Sequence, residues 1–460
     1  MRNVMQEQDV TDWKERLAAY TPETEQERRD RNEILLAAEQ YGTQLLYRSH
    51  AESHFTCSGF VMNPAMDQVL MVYHRIYDSF AWTGGHADGS SDFLWTAVRE
   101  AKEETGIQKP YPLTGAILSL DILPVKAHQK KGVPVPAHQH YNVTYGIIAD
   151  QKETLRIQPD ENTAVQWIPV EQLPEICKEP HMLPVYEKVI HRMRRWKAMQ
   201  EQALLQTAQP LLAWYPLHAR DLPWRHTQEP YRIWLSEIML QQTRVEAVKN
   251  YYARFLETFP DIAALAAAEQ DQVNKCWEGL GYYSRAANLR KAAQTIQEQY
   301  GGVFPRTWEE VRGLAGVGDY TAGAVCSICY GLPTPAVDGN VLRVAARVMN
   351  HFCEIDRPEQ KAAVTALLRQ VYLDNPEHCG TLTQAFMEIG ATVCVPNGQP
   401  HCEACPLSEL CLGRQYCDAL RLPQRTAKKA RRQEQYTVFV LQCDGKFALR
   451  KRTAKGLLHG

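Results

Sequence analysis

A chain of 460 residues is longer than one hydrophobic core usually supports, so two or three domains are expected. Its 45% hydrophobic and 23% charged residues suit a globular protein, and a formal net charge of −2 excludes a chain-wide basic coat, so any nucleic-acid surface must be local. The start MRNVMQEQDV lacks a secretory core, no stretch reaches the ~18 apolar residues of a membrane span, and thirteen cysteines in so long a chain suit metal sites rather than a disulfide framework; a cytoplasmic protein without membrane contact is expected.

Residues 1–45 are charged and periodic, and read as a helical segment. The stretch 46–178 is mixed α/β. Strands are expected at FTCSGFVM and VLMVYHRIY, either side of a turn at Asn63-Pro64. A Gly84-Gly85 loop and a helix through 99–105 follow, then strands at AILSLDIL, HYNVTYGII and AVQWIPV. Residues 179–205 read as a helical linker. From 206 to 424 the pattern is all-α, with turns at Phe259-Pro260, Gly301-Gly302 and Pro333, and a cysteine-rich loop at 394–411. A basic linker (425–434) leads to 435–460, a hairpin pattern turning at Asp444-Gly445. Two strands alone are marginally stable, so 435–460 is expected to be the start of a truncated domain.

The segment GGHADGSSDFLWTAVREAKEETGI (84–107) places Glu100, Glu103 and Glu104 on one helix face. Three stacked carboxylates repel unless cations lie between them, and hard oxygen ligands suit Mg²⁺ or Mn²⁺, the ions that bridge phosphate oxygens and activate water. The segment resembles the Nudix box. Gly85, Arg99, Glu100, Glu103, Glu104, Gly106 and Ile107 match it, Ala101 fills an aliphatic position, and Ser91 stands where the family has its first glutamate, with Asp92 adjacent but out of register. The resemblance implies a Nudix fold, Mg²⁺ or Mn²⁺ on the three glutamates, and hydrolysis of a nucleoside diphosphate-type substrate. His138 and His140 share a strand that could approach this site, and ordinary structural histidines are expected there.

Cys394, Cys402, Cys405 and Cys411 form C-x7-C-x2-C-x5-C, which can close around Zn²⁺ or a [4Fe–4S] cluster; spacing alone leaves both open. Cys326 and Cys329 sit in an apolar helix and read as core. In LAGVGDYTAG (314–323), Gly316 and Gly318 allow a tight turn whose amides can hold a phosphate. Glu237 lies in WLSEIMLQQTRV (234–245) among Trp234, Leu235, Ile238 and Met239, surroundings that argue for partial burial and a raised carboxyl pKa.

Together with LPWR (222–225), GLGYYSRA (279–286) and PAVDGNVLRV (335–344), these motifs resemble, over about 206–424, the helix-hairpin-helix adenine DNA glycosylases of the MutY type. That family carries a [4Fe–4S] cluster, usually spaced C-x6-C-x2-C-x5-C, so the first gap here is one residue longer. The resemblance implies that Asp338 stabilises the sugar cation, besides any capping of the next helix, and that Glu237 protonates the departing adenine. Tyr320 and Asn340 would position the sugar and Asp338. Leu240, Gln242 and Thr243 would contact the base pair and the flipped adenine, Tyr282 or Tyr283 would wedge into the stack, and Trp224 with Arg225 would line the adenine pocket. Leu342 stands where a lysine nucleophile would be needed, so base removal without strand cleavage is expected. The implied partner of this bacterial-type, monomeric enzyme is double-stranded DNA with A:8-oxoguanine or A:G mispairs. Residues 435–460 resemble the first hairpin of the family's Nudix-like 8-oxoguanine-recognition domain. The competing readings are an endonuclease III-type glycosylase/lyase, which Asp319-Tyr320 disfavours, and a non-catalytic DNA-binding module with a regulatory Nudix domain.

Overall fold

A computed structural model describes residues 12–74, 78–130, 133–158, 162–426, 433–435, 437 and 439–448. The chain divides after Arg425 into two compact units. In the first, helices α1 (Asp12–Ala19) and α2 (Glu25–Tyr41) lead into a sheet of β1 (Ser53–Met62), β2 (Gln68–His74), β3 (Ser79–Ala81), β4 (Thr83–His86), β5 (Tyr111–Pro112), β6 (Ser119–Val125), β9 (His138–Ile148) and β10 (Asn162–Pro169). The short pair β7 (His128–Lys130) and β8 (Val133–Val135) stands apart from it. The sheet runs β10-β2-β1-β9-β5, with β3 on β2, β4 on β1 and β6 on β9. Strand β1 is buried along its whole length and pairs in parallel with β9, which is why its sequence is apolar or small almost throughout.

The sheet is covered on both faces. On one side α1, α2 and α3 (Phe93–Thr105) pack Trp13, Phe93 and Ala97 over Phe55, Cys57 and Val143. Beyond the short α4 (Leu173–Ile176), helix α5 (Leu183–Leu205) lays Tyr186, Val189, Ile190 and Met193 over Phe60 and Met62 on the other side. These four recur at helical spacing, so α5 is a working layer of the core and not the linker its charged residues suggested. Its Arg192 donates to both carboxylate oxygens of buried Glu27 at 2.7 and 2.8 Å, fastening α5 to the capping box that opens α2. Gly84 and Gly85, expected as a loop, lie instead within β4, paired to Ser58 and Cys57. A Cβ at Gly85 would stand 2.4 Å from the Glu100 carboxyl carbon, so the missing side chain is what lets α3 press against this strand.

The helical part continues through α6 (Ala208–His218), α7 (Pro230–Leu240), α8 (Val245–Thr258), α9 (Ile262–Ala267), α10 (Gln270–Trp277), α11 (Ser284–Tyr300), α12 (Trp308–Gly313) and α13 (Asp319–Tyr330). It ends with α14 (Gly339–Val348), α15 (Pro358–Leu373), α16 (Cys379–Thr392) and α17 (Leu412–Gln415). Two cores form: one from α7 to α13 around Trp234, Phe255 and Trp277, the other from α6 and α14 to α17 around Val344, Phe386 and Ile389. Gln200 at the end of α5 donates to Leu113 O and Asn350 O, stitching the helical part to the sheet. Among the described residues no helix is long and apolar enough to cross a membrane.

In the second unit, β11 (Gln442–Cys443) and β12 (Lys446–Phe447) pair antiparallel around Asp444-Gly445, the expected hairpin. The segment 449–460, most of the basic linker (427–432) and residues 1–11 of the amino-terminal helical segment lie outside the described residues.

Candidate active site

A cavity of about 280 Å³ opens where the two helical cores meet, lined by Trp224, Arg225, Glu237, Leu240, Thr243, Tyr320, Asp338 and Asn340 among others. Eight of the sequence-predicted residues thus converge on one space. Glu237 arrives on α7, which starts at Pro230 behind the capping carboxylate of Glu229. The apolar residues flanking Glu237 are buried in the first core, and Glu237 itself is only 5% exposed, with one carboxylate oxygen unpartnered. Burial pushes its pKa up to about 7; a hydrogen bond from Tyr320 opposes the rise and the Asp338 charge adds to it.

Asp338 does cap the following helix. Its Oδ1 accepts from the backbone of Asn340 and Val341 at 2.8 Å, and its Oδ2 accepts from the Asn340 side chain at 2.7 Å. Three donors therefore fix the carboxylate at the cavity wall. Arg343 extends the chain of contacts, donating to Asn340 Oδ1, to Gly390 O and to Cys394 O. Among the described residues no lysine lines the cavity, and Leu342 packs in the second core.

Gln242, Tyr282 and Tyr283 lie outside the cavity lining, on exposed turns. Gln242 and Tyr282 hold positive φ of 58° and 48°, conformations a non-glycine residue rarely keeps. Nothing near them in the sequence marks what supports them. Buried Arg285 donates to the carbonyls of Ile238, Met239, Gln241, Leu280 and Gly281, binding the end of α7 to the tyrosine turn. Equally unforeseen is Glu388 on α16, fully buried, which pairs with Arg220 at 2.8 Å and with Arg225. Burial alone would raise its pKa, but these guanidiniums hold it down to about 2. In the turn between α12 and α13, Gly316 has φ 76° and a Cβ there would meet Asn288 at 2.7 Å. Gly318 opens α13 with no side-chain cap, leaving the first amides of the helix without one.

Cys394, Cys402, Cys405 and Cys411 surround a pocket walled by Val344, Ile389, Val393 and Leu407. Among the described residues, no three of these sulfurs come within 4.8 Å of one another. Ligands of one tetrahedral zinc would stand about 3.8 Å apart, closer than these sulfurs are placed. Arg347 donates to the Cys394 sulfur at 3.2 Å. Burial pushes the Cys405 and Cys411 thiols up to about 12 and 11, so their thiolates require a cationic partner.

On α3, Glu104 is buried and accepts from Gly84 N, Glu100 lies against Gly85, and Glu103 is exposed. Arg99 pairs with Glu100 at 2.6 Å and with Glu103 at 3.9 Å. At the position of the departing Ser91 no acid is needed to start the helix: Asp92 caps it, accepting from Trp95 N. Gly106, left-handed at φ 78°, ends it. His138 and His140 do not stand alone, for both rings lie about 5 Å from that of His54, and the His140 ring lies about 5 Å from that of His86.

Residues 53–191 match the NUDIX domain, and residues 235–370 match the HhH-GPD superfamily of base excision DNA repair proteins. Fold and site together thus define a helix-hairpin-helix repair protein with an α/β Nudix domain ahead of it. The adenine DNA glycosylase of Buchnera aphidicola subsp. Schizaphis graminum is 33% identical over 250 residues, 54% of this chain and 71% of that protein. The human adenine DNA glycosylase is 44% identical over 214 residues, 45% of this chain. The chain belongs to the adenine DNA glycosylase family, although it spans only 39% of the human protein's length. A solved structure of a thermostable thymine-DNA glycosylase is 27% identical, with a TM-score of 0.42, covering 47% of this chain and 98% of its own.

Proposed function

We propose that this protein removes adenine from A:8-oxoguanine and A:G mispairs by hydrolysing the N-glycosidic bond, as a monomer in the bacterial cytoplasm. The observation that carries this reading is a carboxyl near pKa 7, Glu237, sharing one cavity with the fixed carboxylate of Asp338. The scissile bond is inaccessible in a stacked duplex, so the adenine must be flipped out into the cavity. Glu237 gives its proton to a ring nitrogen of the flipped base. The bond from sugar to base then breaks, its electron pair leaving with the purine, and the Asp338 carboxylate stabilises the cationic sugar until water adds. Tyr320 and Asn340 keep the two carboxyls in place. A cavity without lysine offers no amine to trap the sugar, which favours base release without strand cleavage.

In the same reading, Tyr282 or Tyr283 fills the gap left by the base, Leu240, Gln242 and Thr243 meet the base pair, and the α13 amides behind Gly316 and Gly318 hold a DNA phosphate. The four cysteines hold a [4Fe–4S] cluster, for which their wide spacing and buried thiols are suited. Glu100, Glu103 and Glu104 hold Mg²⁺ or Mn²⁺, which supplies charge neutralisation and water activation for cleaving a nucleoside diphosphate-type substrate. The Nudix part extends past 178 to take in α5, the glycosylase part spans 206–424, and the 435–460 hairpin serves recognition of the damaged guanine.

Release of free adenine from mispaired oligonucleotides, lost in Asp338→Asn, is the expected result. No free adenine and no alkali-labile abasic site after prolonged incubation with cluster-loaded protein would overturn the proposal. For the Nudix part, Mg²⁺-dependent phosphate release from a nucleotide panel should vanish in Glu103→Gln.

A further inference from the structure

The histidines of the sheet come together through strand register. His138 and His140 are two apart on β9 and share a face, and His54 on β1 lies directly beside His140 in the parallel pairing. One ring nitrogen from each of His54, His138 and His140 lies within 4.8 Å of the other two. The Nε2 atoms of His138 and His140 are 3.1 Å apart.

Their outer nitrogens are already committed. His54 Nδ1 is 3.2 Å from His50 O, and His138 Nδ1 is 2.9 Å from Pro136 O. A carbonyl oxygen can only accept, so both Nδ1 atoms carry the proton and both Nε2 atoms present lone pairs inward. His54 is 4% exposed and its Nε2 has no partner. A buried nitrogen left without a hydrogen-bond partner is destabilising, and a stack of neutral rings does nothing to offset it.

A shared cation accounts for all of this. Nitrogens bound at ~2.0–2.1 Å to one metal stand roughly 3.0–3.4 Å apart, the separation His138 and His140 already show. Imidazoles whose second nitrogen donates to a backbone carbonyl are the usual ligands of such metals, the carbonyl fixing tautomer and ring orientation. Nitrogen donors without carboxylates favour a borderline transition cation over Mg²⁺. We propose that His54, His138 and His140 form a binding site for one divalent transition cation, Zn²⁺ foremost, separate from the glutamates of α3. Three protein ligands leave a coordination position for water or an anionic oxygen, with the His86 ring beside it, about 5 Å from those of His54 and His140.

The test is Zn²⁺ binding by the full chain with its iron–sulfur group intact, read by calorimetry and by X-ray absorption at the zinc edge. One zinc per chain is expected, with nitrogen and oxygen neighbours, imidazole scattering and no sulfur. His140→Gln should weaken binding by at least 10–100-fold, the loss that disturbing even an outer partner brings. Should His140→Gln misfold, half-exposed His138→Gln gives the same readout, with circular dichroism and zinc-free melting matched to the parent. No bound zinc in the parent, equal binding by the variants, or a sulfur shell from the cysteine loop would each overturn the site.

Discussion

Replacing Glu237 by glutamine should make the protein more stable while stopping its chemistry. A carboxyl moved from its ordinary 4.5 to about 7 prefers its neutral form by about 3 kcal/mol. Below pH 4.5 the folded and unfolded chains both carry the neutral acid, and stability does not depend on this residue's titration. Between 4.5 and 7 the unfolded chain has ionised while the folded protein keeps its proton, so stability falls as pH rises and levels off above 7. Glutamine is neutral throughout. The advantage of Glu237→Gln should therefore grow from nothing near pH 4 to about 3 kcal/mol at pH 8, roughly 5–10 °C in melting temperature. Single-turnover excision by the parent should decline as pH rises through about 7, and the variant should lose roughly 10²–10⁴-fold. A stability gain that does not change with pH, or a flat parent profile between pH 6 and 8, would refute the assignment of Glu237 as the buried acid.

Asp338→Asn keeps the backbone cap but turns its amide nitrogen toward the Asn340 amide, so stability should fall by about 1 kcal/mol while excision falls roughly 10³-fold; Asp338→Ala should lose about 1 kcal/mol more with the cap. Arg285→Leu leaves the carbonyls it serves without donors at about 1–3 kcal/mol each, so a loss of at least about 3 kcal/mol is expected by denaturant titration, with proteolytic nicking near Tyr282. Cys405→Ser should abolish the brown iron–sulfur absorption and expose 394–411 to protease. Glu388→Gln strands the Arg220 and Arg225 guanidiniums, lowering stability by about 3 kcal/mol; with Arg225 released toward the cavity, the pH of half-maximal excision should move below 7.

What the sequence disclosed were features whose spacing is local. Glu100, Glu103 and Glu104 share a helix face by arithmetic, and the apolar residues around Glu237 foretold its burial because they lie within one turn of it. Features made by distant pairing stayed hidden. Gly84-Gly85 looks like a loop until β1 is laid against it, and His54 acquires meaning only through its parallel register with His140. Arg285 and Glu388 are single charged residues in helices, and nothing nearby in sequence marks them as buried. Helix α5 belongs with these, since Tyr186, Val189, Ile190 and Met193 find Phe60 and Met62 more than a hundred residues away.

Two buried carboxyls, Glu237 in the cavity wall and Glu388 behind the arginines that line it, are driven in opposite directions, and the difference lies in who faces them. Glu388 is met by Arg220 and Arg225 and remains charged; Glu237 is met by a tyrosine hydroxyl and apolar walls and keeps its proton near neutrality. Arg225 lines the same cavity and acts only weakly on Glu237, because its guanidinium is already engaged by Glu388. A buried ion pair contributes little to stability in itself, but here it keeps a cation away from the acid. Without Glu388, an arginine beside Glu237 would favour the ionised carboxylate, which has no proton to give to a purine. The pair at the edge of the cavity thereby leaves burial to govern the protonation state at its centre.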